Sequence, residues 1–406
     1  MPKLLWLSPL SVHDTSNPSA TQMRNMLLSL KARGVEIVAL SALNFLQDSG
    51  TSLFTDLEEK LKGEDTSFNL NDNDINFIYI RTKSRRLGEM PSQEQRNFYA
   101  KFCAIISAFR PDVVMGSGSD MLSMVCFDEA HRRGLPTVYT LLDSVPARFN
   151  FPNIDIVVTD SSAVSNLYAN SHKINSVVTG SFTPVNIPEK LAEDKDRKRI
   201  TMVNPCLEKG LGVFIRLAQL KNKELKGTTF TVLETTEGQF KEQVALLKKG
   251  NSSKPAFTEK DLSIIEVLPP STTLDEVLNQ SKMLVAPSLS FEGIVPVARE
   301  AVVRGVPVLA TNQTGFGESI GDAGVLVEAP KTIMDNHSHI LSDEEMAFFI
   351  KGFDMILNDK IAERCANVAA RYDINYAANR LAATLKPLFD LRAGYNPQLL
   401  RNGSLI

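Results

Sequence analysis

Short runs of β-branched and aliphatic residues alternate with helix-length stretches along almost all of the 406 residues, and nothing else constrains the fold as strongly. Strand signals fall at 4–7, 36–40, 77–80, 113–115, 137–141, 156–159 and 176–179. Helical patterns at 20–32, 92–108, 120–132 and 162–169 lie among them. Parallel strands need a crossover of about a dozen residues, usually a helix, so this spacing predicts βαβ units and a doubly wound parallel sheet. A second series has strand signals at 200–203, 229–233, 264–267, 283–286, 306–310 and 324–327, with helical patterns at 212–219, 240–247, 273–279 and 296–304. Between the two series, residues 183–198 carry Pro184, Pro188 and the charged run Glu193-Asp194-Lys195-Asp196-Arg197-Lys198, the composition of an interdomain linker. The chain is too long for one compact core. It is therefore expected to form α/β domains over 1–190 and 191–370, with a helical segment 371–406 packing back on the first. Residues 47–76 are polar, with a weak helix near 56–61, and read as a mobile surface excursion.

Apolar content of 43% and charged content of 22% describe an ordinary soluble protein, and a net charge of −3 gives no global attraction to nucleic acid. Cys103, Cys126, Cys206 and Cys365 are widely spaced with no CxxC, the pattern of buried thiols in a reducing compartment. The apolar run at 4–7 is shorter than a signal-peptide core, and no run approaches the roughly 18 residues of a membrane span. A cytoplasmic protein is expected, with the inner face of a membrane as a candidate peripheral contact. No Asp-x-Asp stands at a strand end, and Asp72-Asn73-Asp74 falls in the polar excursion, so no metal is expected.

Chemistry concentrates in Phe291-Glu292-Gly293-Ile294-Val295-Pro296-Val297-Ala298-Arg299-Glu300-Ala301. Two carboxylates eight positions apart are separated by roughly 80° of net helical rotation, so both can face one cleft. The free amides of a first helical turn add a site for an anion. Leu284-Val285-Ala286-Pro287-Ser288 reads as a buried strand ending in a turn just before this pair, and Gly305 is placed as a helix stop before the next buried run. In the loop expected after the first strand of the second series, Lys209-Gly210 sets an ammonium beside open amides, a candidate diphosphate clamp.

The block of strand, loop, acidic helix, glycine and strand resembles the nucleotide-sugar site of the GT-B glycosyltransferases, especially the large retaining family GT4. The resemblance implies a GT-B fold: two Rossmann-like, doubly wound parallel-sheet domains facing a central cleft. It implies a retaining, metal-independent transferase that moves a sugar from a nucleotide sugar, UDP- or GDP-linked, to a hydroxyl of a glycan, lipid-linked or protein-linked acceptor. No cofactor beyond that co-substrate is implied. By the same resemblance Glu292 approaches the donor sugar and reacting centre, and Glu300 accepts from both ribose hydroxyls. Gly293, Ile294 and Val295 form the loop whose amides, those of Ile294 and Val295, face the distal phosphate. Lys209 neutralises the leaving diphosphate, with Asn204 standing where the family commonly has an arginine. Val295 also occupies a position where the family often has glycine.

On the acceptor side, Asp143 ends the strand that in the family often closes on His-Asp, and Leu142 holds the histidine position. Asn17 and Ser19 lie in a loop that is glycine-rich in the family, although Asn17-Pro18-Ser19 also reads as a turn into a helix cap. Arg81 opens a basic segment, 81–101, suited to an anionic acceptor or headgroup. Two other readings stay open: a GT-B subunit that binds a partner or glycan without catalysis, and a nucleotide-sugar epimerase.

Overall fold

The computed structural model describes residues 1–54, 56–63, 65–142, 153–188, 190–193, 196–248, 255–313 and 315–391. Two compact units form: Met1–Thr183 with Ile374–Ile406, and Pro184–Asp373.

In the first unit the strands are β1 (Lys3–Leu10), β2 (Glu36–Asn44), β3 (Ser67–Asp72), β4 (Ile75–Ile80), β5 (Val113–Gly116), β6 (Thr137–Leu141), β7 (Ile156–Thr159) and β8 (Val177–Val178). They make one sheet in the order β3-β4-β2-β1-β5-β6-β7-β8. Every pairing is parallel except β3 with β4. β5, β6 and β7 are buried along their whole length; β5 and β7 accordingly read as near-continuous apolar runs, while β6 buries Thr137 and Thr140 as well. Asn17, Asp120 and Ser161 cap the following helices by accepting from the amides of Ser19, Ser123 and Val164. The helix Ile374–Asp390 completes this unit, burying Ala377, Leu381 and Leu385 in the core that holds Trp6 and Phe77. Arg33 ties it down by donating to the side-chain oxygens of Asn379 at 2.8 Å and Asn375 at 3.2 Å.

Residues 47–76 depart from the expected excursion. They contain a 3₁₀ turn Asp48–Thr51, a short helix Leu57–Leu61 and the edge strand β3. In β3, Phe68, Leu70 and Asp72 are half-buried while Asn69 and Asn71 are exposed, so half the strand's side chains are polar by position. The hairpin turn is Asn73-Asp74, at φ 50° and 60°, a left-handed pair that asparagine and aspartate tolerate and that suits a two-residue β-turn. Reading polarity as disorder missed a hairpin.

The second unit contains β9 (Arg199–Val203), β10 (Thr229–Leu233), β11 (Ile265–Leu268), β12 (Ser281–Ala286), β13 (Val308–Thr311) and β14 (Gly324–Val327), ordered β11-β10-β9-β12-β13-β14 and parallel throughout. Its core joins Ile200, Phe214, Phe230 and Val285 to Phe349 and Phe353 of the helix Asp343–Asn358. The charged end of the expected linker is part of this unit. Arg197 is only 6% exposed, donating to the carbonyls of Ser281 at 2.9 Å and Arg304 at 2.5 Å. A guanidinium offers several donors, and here they satisfy carbonyls at a strand start and a helix end. Among the described residues no helix is long and apolar enough to cross a membrane.

Candidate functional site

β9 and β12 are neighbours, and from them the strand order runs outward to β10 and β11 on one side and to β13 and β14 on the other. Loops leaving the carboxyl ends of such a pair diverge and open a crevice. In the loop after β9, Asn204 adopts φ 59°, a left-handed conformation that asparagine accepts more readily than most residues. Its side-chain oxygen accepts from Gln239 Nε2 at 2.6 Å and Thr235 Oγ1 at 3.4 Å. A 3₁₀ turn, Leu207–Lys209, follows and ends at Gly210 with φ 77°. A Cβ at Gly210 would overlap the carbonyl oxygen of Pro287, so glycine there serves both the turn and a close approach of two loops.

That approach fastens the loop after β9 to the loop after β12. Leu289 N donates to Glu208 O at 2.8 Å and Ser288 Oγ to the same carbonyl at 3.3 Å. Lys209 and Glu292, 83 positions apart, are thereby brought into direct contact, Nζ donating to Oε1. The same oxygen accepts from Ser288 Oγ at 2.7 Å. The lysine side chain is 34% exposed and the glutamate 15%, so the pair sits at a mouth rather than in the core.

The loop after β13 completes the wall. Gly315 N donates to Glu292 O at 3.0 Å, and a Cβ on Gly315 would collide with the Gly293 carbonyl. Thr311 Oγ1 donates to Ser288 O, and the buried Ser319 Oγ accepts from Val295 N at 3.0 Å. Together these elements enclose a cavity of about 280 Å³, with Asn204, Lys209, Ser288, Glu292 and Val295 in its lining and Phe316 and Leu284 supplying apolar wall.

Of the residues singled out in the sequence, Asn204, Lys209, Glu292 and Val295 therefore meet around one cavity, with Gly293 and Ile294 in the loop between the last two. Glu300 does not line it. It lies on the helix Pro296–Val303, with Oε2 bonded to Nη1 of Arg304, whose Nη2 reaches Asp275. Of the first-unit candidates, Asn17 and Arg81 are committed to local structure, and Ser19 contributes its backbone amide. Asn17 caps its helix through the amide of Ser19 at 3.0 Å. Arg81 donates to the carbonyls of Lys60 at 2.5 Å, Asp65, and Ser67 at 3.4 Å, and stacks over Phe68. Asp143 lies outside the described residues.

Ser288, Gln239 and Arg304 carry roles that the sequence reading did not assign. Ser288 had a signal, four positions before Glu292. Gln239 had none, since its partner Asn204 comes from another strand end; Arg304 had one, the i, i+4 spacing from Glu300, but its second partner Asp275 lies on a neighbouring helix. Burial pushes the Cys206 thiol up, and Lys209 acts against it. Among the described residues no three His, Cys, Asp or Glu side chains gather as a metal site.

A polar cluster in the first unit is also built from distant segments. His13, 3% exposed, contacts Tyr79 Oη through Nδ1 at 2.6 Å and Asp72 Oδ2 through Nε2 at 3.0 Å. Arg24 forks onto both oxygens of Asp72 at 2.7 and 3.0 Å. The carboxylate only accepts, so Nε2 carries the proton and the tyrosine hydroxyl donates to Nδ1. Burial lowers the imidazole below its ordinary value and Asp72 acts against it; burial also pushes the Tyr79 phenol up.

Residues 206–343 match the family described as glycosyl transferases group 1. No curated protein sequence matches the chain significantly. Among solved structures, it resembles a glycosyltransferase from Rickettsia africae ESF-5, 17% identical over 95% of this chain and 98% of that one, with a TM-score of 0.63. Sucrose-phosphate synthase from Thermosynechococcus elongatus is 12% identical over 96% and 100%, with a TM-score of 0.61. Anabaena HepE in complex with UDP and glucose is 16% identical over 95% and 100%, with a TM-score of 0.58. At such identities the structural likeness speaks for the fold, and the matched segment, which contains Lys209, Glu292 and Glu300, speaks for the family. The fold is of the GT-B kind, and within it residues 206–343 are similar to the glycosyl transferases group 1 family.

Proposed function

We propose that this protein is a retaining transferase that needs no metal and moves a sugar from a uridine- or guanosine-diphosphate donor to an acceptor hydroxyl on a glycan, lipid-linked or protein-linked molecule. One observation carries the reading: Lys209, Glu292 and Ser288 converge on a cavity at the carboxyl ends of β9 and β12. A cation beside a hydroxyl-binding carboxylate matches the two ends of a sugar phosphate. In the empty site the two neutralise each other. Donor binding exchanges partners: the diphosphate takes Lys209, and Glu292, still held by Ser288, accepts from sugar hydroxyls.

The anomeric C–O bond to phosphate breaks as the bond to the acceptor oxygen forms on the same face. The electron pair goes to the phosphate oxygen, which Lys209 stabilises, and the acceptor proton passes to that departing group. Fixed positive charge aimed where charge develops is the largest lever available to such a site. A cavity of about 280 Å³ lies just below the usual range of about 300–1,000 Å³ for ligand pockets and suits the reacting end of the donor. The UDP and glucose held by Anabaena HepE support a uridine donor.

The test is incubation with a panel of nucleotide sugars in chelator, with and without added saccharide and lipid-linked acceptors. Release of nucleoside diphosphate and a product of unchanged anomeric configuration is expected. Inversion would sink the retaining step, and loss of all turnover in chelator would sink metal independence. Failure to bind any nucleotide sugar would sink the reading as a whole.

A further inference from the structure

Arg304 is the most deeply buried charged side chain among the described residues of the second unit, 1% exposed and one turn beyond Glu300. Its Nη1 donates to the Glu300 carbonyl at 2.8 Å and to Glu300 Oε2, and its Nη2 donates to Asp275 on the helix Leu274–Asn279. Its Nε has no hydrogen-bond partner among the described residues. A buried guanidinium with an unmet donor costs stability, and an aliphatic side chain would fill the same space at less cost. Helix packing alone therefore does not account for it. What the arrangement does achieve is orientation. A glutamate on a helix face samples several rotamers, whereas this one is held through Oε2, and its side chain remains 21% exposed.

We infer that Arg304 is a positioning residue for Glu300: it fixes the carboxylate so that it reads the ribose hydroxyls of the donor nucleotide. The inference rests on the donor-site reading above together with the family resemblance by which Glu300 accepts from ribose. Arg304 touches no substrate. It acts by removing the rotamer freedom that ribose binding would otherwise have to freeze.

The experiment measures affinities of the full-length protein for UDP, GDP and ADP, each against its 2′,3′-dideoxy counterpart, by calorimetry. Wild type is expected to prefer the ribonucleotide of its cognate base by about 10-fold or more, the range of a charged hydrogen bond. In Arg304→Met the ribonucleotide affinity falls to the dideoxy level while the dideoxy affinity stays unchanged. A merely structural role would weaken both alike. Should Arg304→Met fail to fold, Arg304→Lys is measured instead and keeps only part of the preference, because one ammonium replaces a two-nitrogen bridge. Full discrimination in a folded Arg304 variant overturns the inference and leaves the donor site standing. A wild type that treats ribo- and dideoxynucleotides alike, or binds no nucleoside diphosphate, overturns both.

Discussion

Replacing Lys209 by methionine separates the chemistry of the site from its architecture. The lysine side chain is 34% exposed, and among the described residues the only hydrogen bond of its ammonium runs to Glu292. An ion pair with that much water access is worth about 0–1 kcal/mol. The substitution does not strand the carboxylate, because Glu292 keeps the Ser288 hydroxyl at 2.7 Å and is itself 15% exposed. The loop also holds without the side chain, through Leu289 N to Glu208 O and the Gly210 contact. For a unit of this size about 1 kcal/mol corresponds to about 2–4 °C, so the melting temperature should fall by no more than about 4 °C. Turnover should fall far more. Removing a fixed donor from developing charge typically costs about 10²–10³ in kcat, or about 3–4 kcal/mol. The assay pairs a thermal melt with nucleotide release at saturating donor. A variant that melts normally and retains kcat within about threefold would refute the catalytic assignment. A melt lowered by more than about 8 °C, with rate lost only in proportion to the folded fraction, would make Lys209 a structural residue.

Gly315→Ala tests the stapling of the loops after β12 and β13. The backbone there, φ −80° and ψ −9°, suits any residue, so the cost comes from collision with the Gly293 carbonyl and is about 1–3 kcal/mol by denaturant melt, with weakened donor binding. An unchanged melt would show that the loops are not in contact. Ser319→Ala removes the acceptor of the buried Val295 amide and should cost about 1 kcal/mol; no loss of stability would mean that this amide has another partner. His13 predicts a pH dependence. Burial holds it below the usual 6.5, so as pH drops below 6.5 the unfolded chain takes up a proton that the fold resists, and stability falls. Asp72 behaves as a second, more acidic step: burial raises it, but Arg24 and His13 outweigh that and hold it below 3.8, so its contribution is lost only as pH falls through its folded value. Melts from pH 7.5 to 5 should show the first slope, and His13→Gln should flatten it; a flat wild-type profile would refute the assignment.

The alternation of apolar runs and helical stretches was sufficient to read both sheets, because buried parallel strands must be apolar on both faces and their crossovers must be helices. The reading failed where half a strand faces water. β3 was lost because Asn69 and Asn71 point outward and the turn Asn73-Asp74 looks like any polar loop. Arg197 was misread for the opposite reason: it sits in a charged run, yet its donors are consumed by two carbonyls in the interior.

Within the candidate site, the residues proposed to carry chemistry were visible along the chain, because the strand, loop, acidic helix, glycine and strand that hold most of them form one local pattern. Their partners were not. That Lys209 bonds Glu292 rather than standing apart from it follows from the adjacency of β9 and β12, which no local spacing encodes. For Glu300 the i, i+4 spacing to Arg304 is a matter of sequence, but the tie from Arg304 to Asp275 on another helix is not. Local periodicity and composition determined the elements and the chemical inventory of this protein. Strand order and loop contact, which are long-range properties, decided which members of that inventory share one cavity.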